Sequence, residues 1–270
     1  MVPVTILVPN YKTPSLTKLC LRLIRKYTDP QLAKIIVIDN DSQDESLSYL
    51  KSLSWITLLE RKHELNESPA LSHARALDLG LSVVNTPYVL SIHTDTLVKH
   101  SGWINFLLQQ IQVSSDVAGV GSWKLEKKPW FVQVLKHLEH RLQSLYFRYT
   151  KKSDHALEGV GKNFYYLRSH CALYRMDLLR KFNLTFSEDE WGVHAGKTMH
   201  KRLVDQEYKM IFIPSKVLLT YLAHINHATM VLNPELGSKT HTIKKGLVRI
   251  EKQLLEFDAR EILLNADLDK

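Results

Sequence analysis

The 270-residue sequence contains only two cysteines, Cys20 and Cys171, both in apolar contexts and not spaced like a metal pair. That scarcity excludes a disulfide scaffold and a zinc ribbon. It reads as two buried thiols in a reducing compartment, so the cytoplasm is the expected location. No run approaches the roughly 20 apolar residues that a membrane span needs. The N-terminus enters strand-like Val4–Val8 directly, so no signal peptide is expected. No Gly-x-Gly-x-x-Gly follows the first strand and no Gly-x-x-x-x-Gly-Lys occurs, which argues against the usual dinucleotide fold and against a P-loop. Gly159-Val160-Gly161-Lys162 has neither the spacing nor a preceding strand. Zinc-finger signatures, RNA-binding signatures and internal repeats are also missing.

What remains is an ordinary globular composition, 44% hydrophobic and 24% charged. The length suits one large α/β domain, or one domain with an appendage. The formal net charge of +8 suits an anionic partner such as a nucleotide phosphate or an anionic lipid. The positive charge is scattered and no aromatic-basic recognition motif appears, so nucleic acid is not expected as a partner.

Apolar strand-like runs alternate with amphipathic stretches. Val4–Val8, Ile35–Ile38, Trp55–Leu59 and Tyr88–Ile92 read as strands. Leu16, Leu19, Cys20, Leu23 and Ile24 follow helical spacing, as do Leu71, Ala74, Leu77, Leu81 and Val84 behind the Ser68-Pro69 start signal. Ser42 with Glu45 fits a capping box, and Ser101 is placed to cap a helix beginning near Trp103. This alternation predicts a mostly parallel sheet flanked by helices, with sites at the carboxyl ends of the strands.

Further along, Val117–Trp123 reads as a strand and Trp130–Tyr149 as a basic amphipathic helix. Residues 127–152 therefore become a candidate for peripheral contact with the inner membrane face, against the simpler reading of a helix packed on its own domain. Asn163–Tyr174 should return to the sheet. Gly196–Tyr208 reads as a helix, Met210–Ile213 and Val217–Leu222 as strands, and one charged helix carrying Leu247, Ile250, Leu254 and Leu255 closes the chain. The domain expectation is 1–242 as a single unit, with halves 1–123 and 124–242, plus a helical extension over 243–270.

The stretch that carries most chemistry is Tyr88–Thr96. Its apolar strand breaks into His93-Thr94-Asp95-Thr96, where an imidazole and a carboxylate two residues apart can hold a divalent cation and the phosphates on it. The alternative is a polar turn in which Asp95 caps the next helix.

These residues together resemble the family 2 glycosyltransferases of GT-A fold, the nucleotide-diphospho-sugar transferases. The resemblance rests on Val4–Tyr11, on Ile36–Asp44 with its Asp-Asn-x-Ser-x-Asp turn, on Ala76–Gly80 followed by Thr86–Leu90 and His93–Thr96, and on Glu188–Glu190, Gly196-Lys197, Leu203 and His224. It spans roughly Val2 to Met230 and implies a Rossmann-like sheet, a smaller acceptor-side region and a C-terminal helix. The activity it implies is sugar transfer from a nucleotide-diphosphate donor, UDP-sugar first, GDP or dTDP next, to a glycan or lipid-linked acceptor hydroxyl. Such transfer would be inverting and would serve cell-surface polysaccharide or glycolipid synthesis. Pro9, Asn10, Tyr11, Asp39, Asp78 and Thr94 would hold the nucleotide-sugar. Asp95, with His93 and His224, would hold Mn²⁺ or Mg²⁺, and His227 stands near enough in sequence to be weighed with His224. Asp189, then Glu190, would be the base, against the alternative of an acidic helix cap. His93 departs from the pattern, because the family usually places the first Asp of Asp-x-Asp there. A non-catalytic nucleotide-sugar-binding or scaffold protein with a decayed site is the competing expectation.

Overall fold

A computed structural model describes residues 2–126, 141–143, 158–192, 194–225, 228–233, 240–255 and 258–270. Its centre is a seven-stranded sheet: β1 (Val4–Asn10), β2 (Ala33–Asn40), β3 (Ile56–Arg61), β4 (Tyr88–Ile92), β6 (Val117–Gly121), β7 (Cys171–Arg175) and β8 (Lys209–Phe212). They lie in the order β3-β2-β1-β4-β7-β6-β8. Pairs β1·β2, β1·β4, β2·β3 and β6·β8 are parallel, whereas β7 runs antiparallel to both β4 and β6. The expected mostly parallel, helix-flanked α/β sheet is what forms. Its run of buried Val, Ile and Leu on β1 and β2 is the signature of strands covered on both faces.

Helices α1 (Pro14–Tyr27) and α4 (Trp103–Ile111) pack one face, with Leu19, Ile24, Trp103 and Leu107 essentially sealed from water. Helix α3 (Pro69–Ser82) covers the other through Ala74, Ala76 and Leu77. Each such side chain contributes about 1.5–3 kcal/mol when fully buried, less for alanine. Gly80 lets α3 approach closely, since a Cβ there would lie 2.9 Å from Ile38 and Leu7 side chains. The later helices are α5 (Met176–Lys181), α6 (Lys197–Asp205), α7 (Ser215–Tyr221), α8 (Ala228–Leu232), α9 (Thr240–Leu255) and α10 (Ala259–Leu264). A separate two-stranded ribbon pairs β5 (Thr96–Val98) with β9 (Leu222–His224).

Four local expectations fail for identifiable reasons. The cap of α2 (Glu45–Ser52) is Asp44, whose carboxylate accepts from Ser46 N. A carboxylate also suits the positive end of the helix better than a hydroxyl. Left-handed Asp41 and Gln43 turn Ser42 away, toward Asn10 and the Lys12 amide. Ser101 caps nothing, because α4 starts one residue later from Gly102 without a side-chain cap. Val217–Leu222 is mostly helix α7, initiated by Pro214 and followed by a three-residue strand. The closing element is not one helix but α9, α10 and a 3-10 turn over Ala266–Asp269. That turn is pinned to α1: buried Arg22 donates to Asp269 Oδ1 at 2.8 Å, to Asp269 Oδ2, and to the Ile262 and Leu263 carbonyls. The candidate helix Trp130–Tyr149, apart from 141–143, lies outside the described residues, as does His227. Among the described residues no helix is long and apolar enough to cross a membrane.

Candidate active site

The carboxyl ends of β1, β2, β3 and β4 open onto a cleft of about 690 Å³, within the usual range for small-ligand sites. Two further strand ends join them. β7 is antiparallel, so the residues before it, Arg168, Ser169 and His170, lie at the same edge, opposite Ile92 through the Ile92–Cys171 pair. β6 ends there too, delivering Trp123 to the cleft and Ser122 behind His170.

At the β1–β3 end, Tyr11 stacks on His63 with ring centroids 5.4 Å apart. Asn40 donates to Ser72 Oγ at 2.9 Å and accepts from Arg61 at 2.8 Å. Beside them, Glu67 is almost buried between Arg61 and Arg75, and its Oε2 has no hydrogen-bond partner. The pair of arginines outweighs the burial of this carboxyl and holds it below the usual carboxylate range.

Below β4 the cleft narrows onto imidazoles. His93 Nδ1 lies 3.8 Å and His224 Nε2 3.4 Å from Asp95 Oδ1, and the three donor atoms all fall within 4.8 Å of one another. His224 arrives through the ribbon: Thr96 pairs with His224 across β5 and β9, and Ile225 N donates to Asp95 O at 2.8 Å. Burial, then the neighbouring His73, pushes His93 well below its ordinary value against the pull of Asp95, so its ring is neutral. Burial likewise takes His73 down to about 4. Burial opposes ionisation of Asp95, but the His224 and His93 neighbours outweigh it and keep the carboxyl below the usual range.

These residues fit a divalent metal. Neutral imidazole and ionised carboxylate are the ligating forms. Donors about 2.1 Å from a common ion and in adjacent positions stand roughly 3.0–3.5 Å apart; the His224–Asp95 separation of 3.4 Å lies in that range and the His93–Asp95 separation of 3.8 Å a little beyond it. Asp95 Oδ1 is buried without a hydrogen-bond partner, which is costly unless something else occupies it. Two imidazoles and one carboxylate favour a transition ion such as Mn²⁺ over Mg²⁺. Outside the triad, Ser169 Oγ meets His93 Nε2 at 2.9 Å and His73 Nε2 at 3.2 Å. His170 bonds to Ser122 Oγ at 2.9 Å and stacks on His224 at 4.9 Å.

The other expected site residues scatter. Pro9, Asn10, Tyr11, Thr94, His93, Asp95 and His224 all line the cleft. Asn10, however, spends its amide inside the protein, donating to Asp39, Ser42 and Ser46 and accepting from Thr17. Asp39 is 3% exposed and receives Asn10 Nδ2 and Ser42 N, bracing the β1 and β2 ends from beneath the cleft wall. Asp78 accepts from the Phe186 and Ser187 amides at 2.6 and 3.1 Å, tying α3 to the segment before α6. Asp189 and Glu190 are exposed and off the cleft wall, a few residues from His194 and Ala195, which are on it. Glu188 and Glu190 both face Arg202, at 3.0 and 3.4 Å, whereas Asp189 has no ion pair among the described residues.

The sheet, with polar side chains gathered at its strand ends, is an α/β architecture of the kind that takes ligands at that edge. The sequence matches the model of glycosyl transferase family 2 over residues 5–182. The chain belongs to that family and is a glycosyltransferase. No curated protein matches it. Among solved structures it is similar to the mannosyltransferase PcManGT from Pyrobaculum calidifontis, in complex with GDP-Man and Mn²⁺, with TM-score 0.54 and 18% identity. That match covers 79% of this chain and 55% of the mannosyltransferase, so the chain spans about half of that protein's length. Glucosyl-3-phosphoglycerate synthase from Mycobacterium tuberculosis gives TM-score 0.52 and 16% identity over 92% of this chain and 79% of its own. TarS 1–349 from S. aureus gives 0.50 and 14% over 95% and 72%. At these identities the likeness is one of fold, and the fold is GT-A.

Proposed function

We propose that this glycosyltransferase moves a sugar from a nucleoside-diphosphate sugar to an acceptor hydroxyl with inversion, using a transition-metal ion held by His93, Asp95 and His224. The observation that carries the reading is the buried Asp95 Oδ1, set between two imidazoles at 3.4 and 3.8 Å without a well-formed hydrogen bond, at the foot of a family 2 cleft. Bound there, the ion would neutralise charge on the departing diphosphate. Tyr11, with His63 behind it, offers the base a stacking face. Asp39 acts through Asn10, keeping the first two strand ends in register under the nucleoside. Asp189 is the proposed base because its neighbours Glu188 and Glu190 are engaged by Arg202 and it is not.

In this reading residues 1–123 form the nucleotide-sugar half, residues 124–242 the acceptor half, and 243–270 an extension. A glycan or lipid-linked acceptor of cell-surface polysaccharide or glycolipid synthesis, met at the inner membrane face, agrees with the charge of +8. Calorimetric titration of UDP, GDP and dTDP, each with and without Mn²⁺, tests the donor site on wild type and Asp95→Ala. One nucleotide should bind only with the metal and lose that dependence in the variant. Metal-independent binding untouched by Asp95→Ala removes the metal assignment, and no binding by any of the three overturns the donor reading.

A further inference from the structure

The cleft has an occupant-seeking charge that the donor reading leaves unused. Arg168 lies on the cleft wall with its guanidinium 4.5 Å from the Trp123 ring and 5.7 Å from the Tyr166 ring. These faces hold the plane of the cation in place. Its Nε is buried without an acceptor, and no carboxylate pairs with it among the described residues. Glu158 is taken by Lys124 at 2.6 Å and by the same Trp123 through its Nε1, and Glu126, which lines the cleft, forms no ion pair with Arg168 among the described residues. Two more basic groups stand behind. Lys197 is nearly buried, its ammonium donating to the Lys162 carbonyl and pairing with no carboxylate among the described residues, and His194 stacks on Tyr166. Burial first, then positive neighbours that include Arg168, hold both below their ordinary values. An uncompensated guanidinium in a ligand cleft calls for an oxyanion.

The sheet order says which ligand supplies it. Tyr11 and His63 follow β1 and β3, His93 and Asp95 follow β4 with His224 brought beside them by β9, Arg168 precedes β7 and Trp123 follows β6. Read along the edge, the sequence of places is nucleoside, metal with diphosphate, then Arg168. A further anion site beyond the metal, on the side away from the nucleoside, belongs to the acceptor. We propose that the acceptor carries a phosphate or carboxylate, and that Arg168, over Trp123 and Tyr166, binds it. This rests on the donor reading for the word acceptor, but the anion site itself does not.

Methyl phosphate and acetate, with methyl α-glucoside as neutral control, are titrated into the protein alone, with Mn²⁺, and with Mn²⁺ plus UDP. One of the anions should bind in all three conditions, and the glucoside should not. Arg168→Met should weaken that binding by about tenfold or more, the worth of one charge-assisted bond, with Arg168→Lys intermediate. Arg168→Gln serves as a second neutral variant should the methionine variant not fold. Absence of binding at tens of millimolar, binding that needs Mn²⁺, displacement by UDP, or equal binding to the neutral variants would overturn the proposal. If UDP does not bind at all, the donor reading fails while the first two conditions still decide the role of Arg168.

Discussion

Asp269→Asn probes how the helix behind the cleft is kept in position. Helix α1 follows directly on the short link 11–13 after β1, whose end lines the cleft, and it is tied at its middle by Arg22. The Arg22 side chain is 2% exposed and Asp269 23%. Asparagine keeps the shape of the aspartate but removes the charge from two bonds to Arg22 and one from Tyr49, the latter at 2.8 Å. Breaking a wholly buried pair costs about 3–5 kcal/mol, and partial exposure of Asp269 brings the expectation to about 2–3 kcal/mol. At roughly 2–4 °C per kcal/mol, Tm should fall by about 5–10 °C. The hydrogen bond from Arg22, then that from Tyr49, keeps the Asp269 carboxyl below its ordinary value against a burial effect that raises it. A depressed carboxylate contributes stability that is present above its unfolded value, about 3.9, and lost as pH falls through the folded one. Urea unfolding at a series of pH values should therefore show wild type and variant well separated at neutral pH and converging in acid. A cost under about 0.5 kcal/mol at pH 7, of the size of an exposed pair, or a cost that does not change with pH, would refute the account.

Ser169→Ala should leave the fold intact and weaken Mn²⁺ binding by about 10–100-fold, the usual effect of losing a group that orients a ligating histidine. Electron paramagnetic resonance of free Mn²⁺ gives the affinity directly, and an unchanged value would make the serine merely structural. Asp189→Asn should abolish turnover while nucleotide affinity stays within about twofold, as expected when only proton removal is lost. Equal loss of nucleotide binding would move Asp189 from chemistry to structure. Gly121→Ala should destabilise the protein, because its Cβ would lie 2.5 Å from the Cys171 carbonyl across the β6–β7 pair, and overpacking of this kind costs about 1–3 kcal/mol. A thermal midpoint equal to wild type would show that the pair yields easily.

The first half of the fold was legible because its signals are local and repeated. β1, β2, β3 and β4 begin and end within a few residues of where Val, Ile and Leu runs give way to polar clusters, and Ser68 does cap α3. His93 and Asp95 were readable for the same reason, standing where a strand stops. Ser169, His170 and Arg168 were not singled out, since in sequence they precede a strand instead of following one. The rule that ligands gather at carboxyl ends finds them only once β7 is known to run antiparallel. Asn10 lines the cleft and Asp39 lies behind it, but no spacing rule reveals that Asn10 turns its amide inward to four partners. Ser42 failed as a cap because the deciding facts were two left-handed residues beside it and a carboxylate two positions on.

The ribbon of β5 and β9 gives the cluster of His93, Asp95 and His224 a mechanical meaning. Two of its donors sit in the stretch matched to family 2, whereas His224 enters from chain beyond residue 182, where that match ends. A bound ion would thus join the stretch matched to the family to a later strand that meets it through the three β5–β9 residue pairs and the Ile225–Asp95 backbone bond. Because side chains alternate along a strand, a slip of one residue would turn His224 to the opposite face and dismantle the site. Were an ion bound there, its binding and the β5–β9 register would be one equilibrium: at one hundred times its Kd the ion would stabilise the paired register by about 2.7 kcal/mol.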